Sequence, residues 1–300
     1  MEQNREGCTL CPRMCHKDRQ QNQRGFCGAD GHIRVARSAL HMWEEPCISG
    51  TRGSGTVFFS GCHLKCCFCQ NHEISFGCKG IDITEESLAR MLLTLQSRGA
   101  HNINLVSATP YTDAILRVLD RIRAKELTIP IVWNTGGYER TETLKRLRGY
   151  IDVYLPDCKY YDAERAKQYS KAADYFTVTM EAIKEMVSQC GAYQIDKDGI
   201  MTRGVIVRHL VMPGGRHDSL KVIEALSSAF SSDEIMVSLM SQYTPCYETK
   251  YHPEIDRRVT TFEYQSVAKA VKASGFQGYF QEKTSATSDF VPRFFGKAKD

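Results

Sequence analysis

From residue 55 to residue 281 the chain alternates short apolar runs with longer runs whose apolar residues recur every three or four positions. The short runs, at 55–60, 102–107, 129–134, 151–155, 204–212, 235–239 and 277–281, read as strands. Between them lie amphipathic helices. Thr84 is a cap ahead of Glu85 and Glu86, with Leu88, Met91, Leu92 and Leu95 on one face; Ile115, Leu116, Leu119 and Ile122 form a second such face, and Ile183, Met186, Val187 and Cys190 a third. Strands that are apolar nearly throughout are buried on both sides, which implies a parallel sheet covered by helices. Six or so units instead of eight point to an α/β fold, a partial (β/α)6 TIM-like barrel. In such folds the site lies at the carboxyl ends of the strands.

The charges exclude several classes of function. A net charge of +4, scattered along 300 residues, offers no stripe for nucleic acid and no patch for a membrane surface. The first residues lack the apolar core of a signal peptide, and no apolar run is long enough to cross a bilayer. Thirteen cysteines, an odd number, therefore read as reduced thiols and metal ligands in a cytoplasmic protein, in an oxygen-poor cell.

Those cysteines are not evenly spread. Immediately after the first strand comes Gly-Cys-His-Leu-Lys-Cys-Cys-Phe-Cys-Gln-Asn, which contains Cys62-x3-Cys66-x2-Cys69. Three thiolates on one loop can hold three irons of a [4Fe–4S] cubane and leave the remaining iron open to an outside ligand. Zinc usually takes paired knuckles that close a tetrahedron. His63 and His72 are the available partners for that alternative, and Cys67 reads as a bystander.

A second set, Cys8-x2-Cys11-x3-Cys15-x11-Cys27, lies in a segment punctuated by Gly25, Gly28 and Gly31 with little apolar patterning. A segment so short needs a metal to hold its shape. The expected division is a cysteine-rich metal-binding head over residues 1–50, a barrel over 51–283 and a tail over 284–300 that carries Phe290, Phe294 and Phe295. Zinc or another structural metal is the first reading of the head, a second iron–sulfur cluster the next, and four bare thiols the last.

The polar residues past the strand ends are the candidate pocket. They are Ser107 and Thr109, Asn134, Asp157 and Lys159, Arg208 within the fifth strand, and Gln242. Taken singly, each is an ordinary turn or ion-pair residue; Asp157 and Lys159 could be a surface pair of little worth. Their shared position after successive strands, beside the cysteine loop, favours a site.

The strand, the loop spacing and Phe68 just before the last thiol resemble the radical S-adenosylmethionine (SAM) superfamily. The head, the cluster loop, Asn134-Thr-Gly-Gly-Tyr138, Leu155-Pro-Asp-Cys-Lys-Tyr-Tyr161 and Val207-Arg-His-Leu-Val-Met-Pro-Gly214 resemble the pyruvate formate-lyase activating enzymes, and more closely their relatives with a cysteine-rich head. The resemblance implies a cluster whose open iron takes the amino acid part of SAM, whose reduction cleaves SAM to methionine and a 5′-deoxyadenosyl radical, and a low-potential electron donor. It implies that Phe68, Cys69 and Gln70 line SAM, that the segment of Cys158, Lys159 and Tyr160 touches it, and that Gln242 or Tyr243 contacts it from the sixth strand. The activating enzymes bind the SAM amino group with Gly-Gly-Glu after the second strand, where this chain has Ser107-Ala-Thr109. Two enzymatic readings result: hydrogen abstraction from a substrate, and activation of a glycyl-radical enzyme or another protein or peptide. A non-catalytic iron–sulfur or zinc protein is the reading of another class. No catalytic side chain is singled out.

Overall fold

The computed structural model describes residues 7–281, so the tail expected at 284–300, with its three phenylalanines, lies outside the described residues. The strands are β1 (Ile33–His41), β2 (Ser54–Phe59), β3 (Ile81–Ile83), β4 (Ile103–Val106), β5 (Ile131–Thr135), β6 (Val153–Pro156), β7 (Gln194–Ile195), β8 (Met201–Leu210), β9 (Ile235–Met240) and β10 (Gly278–Phe280). The helices are α1 (Pro46–Ser49), α2 (His72–Ser75), α3 (Glu85–Ser97), α4 (Thr112–Ile122), α5 (Thr141–Arg146), α6 (Ala163–Ser170), α7 (Tyr175–Cys190), α8 (Arg216–Ala229) and α9 (Thr261–Ala273).

The sheet order is β10-β9-β8-β6-β5-β4-β2-β1-β3, with β7 beside β8. From β2 to β10 the neighbours run parallel; β1 is antiparallel to β2, and β3 is antiparallel to β1. Helices follow β2 (by way of β3), β4, β5, β6, β8 and β9, which makes six strand–helix units and a last strand, the expected partial barrel. The sheet begins inside the segment read as head, since β1 pairs along most of β2. Only Ile33 and Val35 of β1 are buried, and its polar residues hide the strand from a periodicity reading.

Local chemistry explains the helices. The Thr84 hydroxyl accepts from the Ser87 N–H at 3.2 Å, which caps α3, and Leu88, Leu92 and Leu95 are buried against the sheet. Each of those side chains contributes about 1.5–3 kcal/mol by leaving water. The last long helix, α9, opens with a capping box between Thr260 and Glu263.

The period of two along each strand sorts the barrel into layers. Val57, Phe59, Leu105, Trp133, Tyr154, Val207 and Val237 face outward into the main core beneath the helices. Val132, Val153, Leu155, Ile206 and Met236 face inward and pack on Cys47 and Ile48 of α1. Helix α1 is thus a plug at the amino-terminal end of the barrel. It is held by the Asn102 amide, which donates to the Ile48 carbonyl at 2.7 Å, and by the Glu44 N–H, which donates to the Ser49 hydroxyl at 3.0 Å. Two residues further along each strand, the next inward positions are Asn134, Asp157, Arg208 and Ser238. The lumen is therefore apolar at its base and polar above.

Candidate active site

The cysteine loop closes the carboxyl end of the lumen. It rests on a separate cluster of buried side chains that includes Leu64, Phe68, Tyr138, Tyr160, Tyr169, Tyr175 and Tyr243. The Cys67 N–H donates to the Tyr169 carbonyl at 2.8 Å, and the Cys67 carbonyl accepts from the Glu248 N–H at 2.9 Å, so the loop is tied on both sides. Gly61 begins the loop at φ +89°, and a Cβ there would meet the Cys27 carbonyl at 2.8 Å. That carbonyl accepts from the Cys62 N–H at 3.2 Å, so the head docks directly on the loop.

Cys62, Cys66 and Cys69 share one environment. Burial, with the Cys66 charge adding to it, pushes the Cys62 thiol up to about 12. Burial raises Cys66 as well, while Lys159 and the Ser170 hydroxyl, which donates to its Sγ at 3.0 Å, favour the thiolate. Cys69 is raised by burial and then by Cys66 and Cys62. Thiolates that repel one another in a buried loop are a donor set that a bound cationic cluster relieves, and the loop fits a [4Fe–4S] cluster on that ground. Cys67 belongs elsewhere: its shift comes from burial, and the groups that modulate it are Cys66, Glu248 and Lys171. Among the described residues no three His, Cys, Asp or Glu side chains converge on a point fit for a single ion. A cubane does not ask for that, because each thiolate binds its own iron.

Below the loop a buried polar network crosses the lumen. Lys159 pairs with Asp157 Oδ2, and Arg208 donates to Asp157 Oδ1 at 2.9 Å and to Asn134 Oδ1 at 2.7 Å. Glu44, which precedes the plug, accepts from Asn104 at 3.0 Å and Asn134 at 3.2 Å, and it pairs with Arg208 at 3.4 Å. The Asp157 and Lys159 side chains are 17% and 11% exposed, so they are not the surface pair that was the alternative for them. Burial would raise the Asp157 carboxyl, but Arg208 and Lys159 outweigh it and hold it below its ordinary value. For Glu44 the balance goes the other way: burial raises it despite Arg208 and Asn104.

A cavity of about 380 Å³ adjoins this network between the plug and β8, β9 and β10; Glu44, Glu45, Arg208, Ser238, Gln242 and Tyr279 are among its walls. Gln242 accepts there from the Gln281 amide at 3.4 Å. The structure thus brings Asn134, Asp157, Lys159 and Arg208 into one network and sets Gln242 beside it. Ser107 ends β4 in the left-handed region, φ 57°, and its N–H donates to the Asn134 carbonyl at 3.0 Å. The other expected contacts lie apart. Thr109 is buried and donates to Glu139 at 2.5 Å. Phe68 stands against Tyr243, ring centroids 5.7 Å apart, and Gln70 is exposed. Cys158 is in the main core, and Tyr160 bonds Ser170 at 2.8 Å, one step from Cys66.

The strand-end rule missed Glu44, Glu45 and Ser170. The signal for the first two was two adjacent acids set directly before Pro-Cys-Ile, a place where acids would otherwise be buried at a loss. Ser170 ends a polar helix and carries no sequence signal.

In the head, Arg19 donates to Cys27 Sγ at 3.2 Å and bonds the Pro110 carbonyl. Burial raises Cys8, and Cys15 and Cys27 add to the rise; burial also pushes Cys11 up to about 12, with Cys27 and Cys8 contributing. The four thiols are therefore close enough to feel one another. Cys78, which the sequence did not single out, joins them, its Sγ 3.8 Å from the Cys27 carbonyl.

The family model described as the Radical SAM superfamily matches residues 56–226, more than half of the chain. The chain belongs to the radical SAM superfamily. A relative by sequence, an uncharacterized protein of Methanocaldococcus jannaschii, is 30% identical over 277 residues, covering 89% of this chain and 74% of its own. Among solved structures, the FeFe-hydrogenase maturase HydG of Carboxydothermus hydrogenoformans matches with TM-score 0.51 and 15% identity, over 77% of this chain and 54% of that one. SuiB of Streptococcus suis, bound to S-adenosylmethionine, matches with TM-score 0.50 and 14% identity, over 76% and 50%. This chain thus spans about half the length of these two structures, and they bear on its fold alone. Membership makes the protein a radical SAM enzyme, with a [4Fe–4S] cluster and SAM as the family's cofactors and a need for an electron donor. Among the described residues no helix is long and apolar enough to cross a membrane.

Proposed function

We propose that the protein cleaves SAM at a cluster held by Cys62, Cys66 and Cys69 and removes a hydrogen atom from a substrate in the lumen. The observation that carries this reading is that Lys159 lies within electrostatic reach of Cys62 and Cys66 and belongs to a network with Asp157, Arg208 and Asn134 whose charged side chains are at most 17% exposed. When bound, the reduced cluster and SAM supply one-electron chemistry that no side chain of this protein can supply. The chain's own residues bind and orient. Asp157 is kept ionised by two cations and can accept from ribose hydroxyls, and Lys159, within electrostatic reach of Cys62 and Cys66, can donate to a carboxylate or ribose oxygen. The aromatic bed under the loop and the apolar plug exclude water, which a carbon radical requires.

The test is anaerobic: iron-loaded protein, dithionite and SAM, with 5′-deoxyadenosine measured by chromatography. Formation well above the cluster-free control is expected, and its absence from fully loaded protein would overturn the reading. Asp157→Ala should weaken SAM binding or slow cleavage with iron content unchanged.

The head cysteines Cys8, Cys11, Cys15 and Cys27 are proposed as a second metal site. Zinc is the first reading from sequence, but among the described residues no three His, Cys, Asp or Glu side chains converge on a point for one ion, which favours a cluster with one thiolate per iron. Metal analysis of a variant with Cys62, Cys66 and Cys69 all changed to Ala separates the readings: retained zinc supports a structural ion, and retained iron a second cluster.

A further inference from the structure

The cavity beside the lumen holds a carboxylate that the protein satisfies only in part. Glu45 is 8% exposed, lines the cavity, and its Oε2 is buried without a hydrogen-bond partner among the described residues. Ser238 is the side chain that bonds it in favour of ionisation. The cation in reach is Arg208, and that guanidinium is already shared between Asp157 and Glu44. Counted over the lumen, Asp157, Glu44 and Glu45 face Arg208 and Lys159, so one buried carboxylate has no counter-charge. A buried acid in this condition costs several kcal/mol if ionised. Burial accordingly raises both Glu44 and Glu45; Asp157 adds to the rise at Glu44, and Glu44 adds to the rise at Glu45.

A structural role does not explain the arrangement. The plug is held by Ile48, Cys47, Asn102 and Ser49, and none of those contacts uses the Glu45 carboxylate. The remaining walls suit a compact organic cation: Tyr279 and Trp43, the latter 60% exposed, are among the lining residues, and the amide oxygens of Gln242 and Gln281, which accept from the Gln281 amide at 3.4 Å and the Ser241 N–H at 3.1 Å respectively, each keep a second lone pair. A volume of about 380 Å³ takes a small amine or a basic side chain.

We propose that Glu45 is the anchor for a cationic nitrogen of the substrate, and that the enzyme acts on an amine or guanidine compound, or on a basic side chain of a peptide. The proposal rests on the reading that the lumen below the cysteine loop receives the substrate. With the cation seated, Glu45 and Glu44 balance it and Arg208, and the carbon chain that carries the nitrogen runs past Arg208 toward the cysteine loop. SAM also carries positive charge, and it is the rival occupant.

The experiment uses iron-loaded full-length protein and calorimetric titration without reductant, so that binding is read separately from cleavage. The probes are cadaverine and agmatine, with 1-pentanol as the neutral analogue and glutarate as the anionic one. Cadaverine or agmatine should bind at least about tenfold more tightly than either analogue, and Glu45→Gln should lose about tenfold of that affinity. Preference for cadaverine assigns an ammonium, and preference for agmatine a guanidinium. Equal binding of 1-pentanol, or no binding of either amine, overturns the proposal while the 5′-deoxyadenosine assay still stands for the broader reading. Loss of SAM affinity in Glu45→Gln as large as the loss of amine affinity also overturns it, since Glu45 would then serve SAM. A second readout covers folding: Glu45→Gln should melt no lower than the wild type, because it removes an unpaired buried acid, and a clear drop would make Glu45 structural and end the proposal.

Discussion

The two ends of the lumen are built on opposite plans. At the carboxyl end the reactive groups are three thiols on a short loop, bedded on tyrosines and tied by backbone bonds at Cys62 and Cys67. At the amino end they are two adjacent acids in front of an apolar plug, one shared among Asn104, Asn134 and Arg208 and the other left with a free oxygen. The upper set is local in sequence and is poised for a cofactor. The lower set is assembled from distant strands and has charge to spare. The contrast teaches that the groups proposed to hold the cofactor are concentrated in one loop, while those proposed to meet the substrate are spread over the barrel.

The largest effect that would test this division is loss of iron. Cys62→Ala, Cys66→Ala or Cys69→Ala should each lower the loop's iron content by about tenfold or more, while Cys67→Ala keeps it. Equal loss in Cys67→Ala, read by iron analysis, would show that the loop is not divided as described. Next comes Arg208→Met, which leaves Glu44 without a counter-charge and Asp157 with Lys159 alone, and should cost about 3–5 kcal/mol in denaturant melts. Its iron content should hold; iron lost in step with stability would mean that the two ends are one unit.

A third test lies between them. Burial pushes the Glu139 carboxyl from 4.5 to about 7, against the hydroxyls of Thr109 and Thr135 and the Trp133 indole. A raised carboxyl favours the folded state below its unfolded value, and that contribution is lost as pH climbs through 7. The wild type should therefore lose on the order of 3 kcal/mol between pH 4.5 and 7.5. Glu139→Gln should remove that slope from the pH dependence of melting; an unchanged slope would assign it to other groups. The smallest effect is Ser170→Ala. It deletes the hydroxyl bonded to Cys66 and should cost about 1 kcal/mol with iron retained.

How far the sequence reaches follows the same division. The thiol spacing was legible because neighbours in sequence are neighbours at the loop. Asn134, Asp157 and Arg208 were legible because strand ends converge in a barrel whatever the details. Thr109 follows β4 as expected, and the 3-10 turn at Thr109–Tyr111 brings its hydroxyl to Glu139. Phe68 belongs to the bed beneath the loop. β1 was hidden by its arginines and by the cysteines around it, which drew the whole segment into the head. Glu45 could not be placed at all without knowing that a plug exists.

That strand also acts as a gauge. Cys27, just before β1, touches the loop at one end of the barrel, and Glu44, just after it, enters the lumen at the other. The nine residues of β1 set most of the distance between them, at about 3.3 Å each. The pairing slips by one residue between Val35 and Arg37, where Ala36 is extra. Deleting Ala36 would remove the bulge and leave the pairs on either side in register, whereas deleting a paired residue such as Ala39 would draw the rest of the strand up by one step and reverse which side each later residue faces, taking Glu44 out of reach of Asn134 while Cys27 stayed in place. The length of one strand thus sets a tolerance for the enzyme: a deletion among its paired residues, which a surface loop would absorb, is carried here to the far end of the barrel.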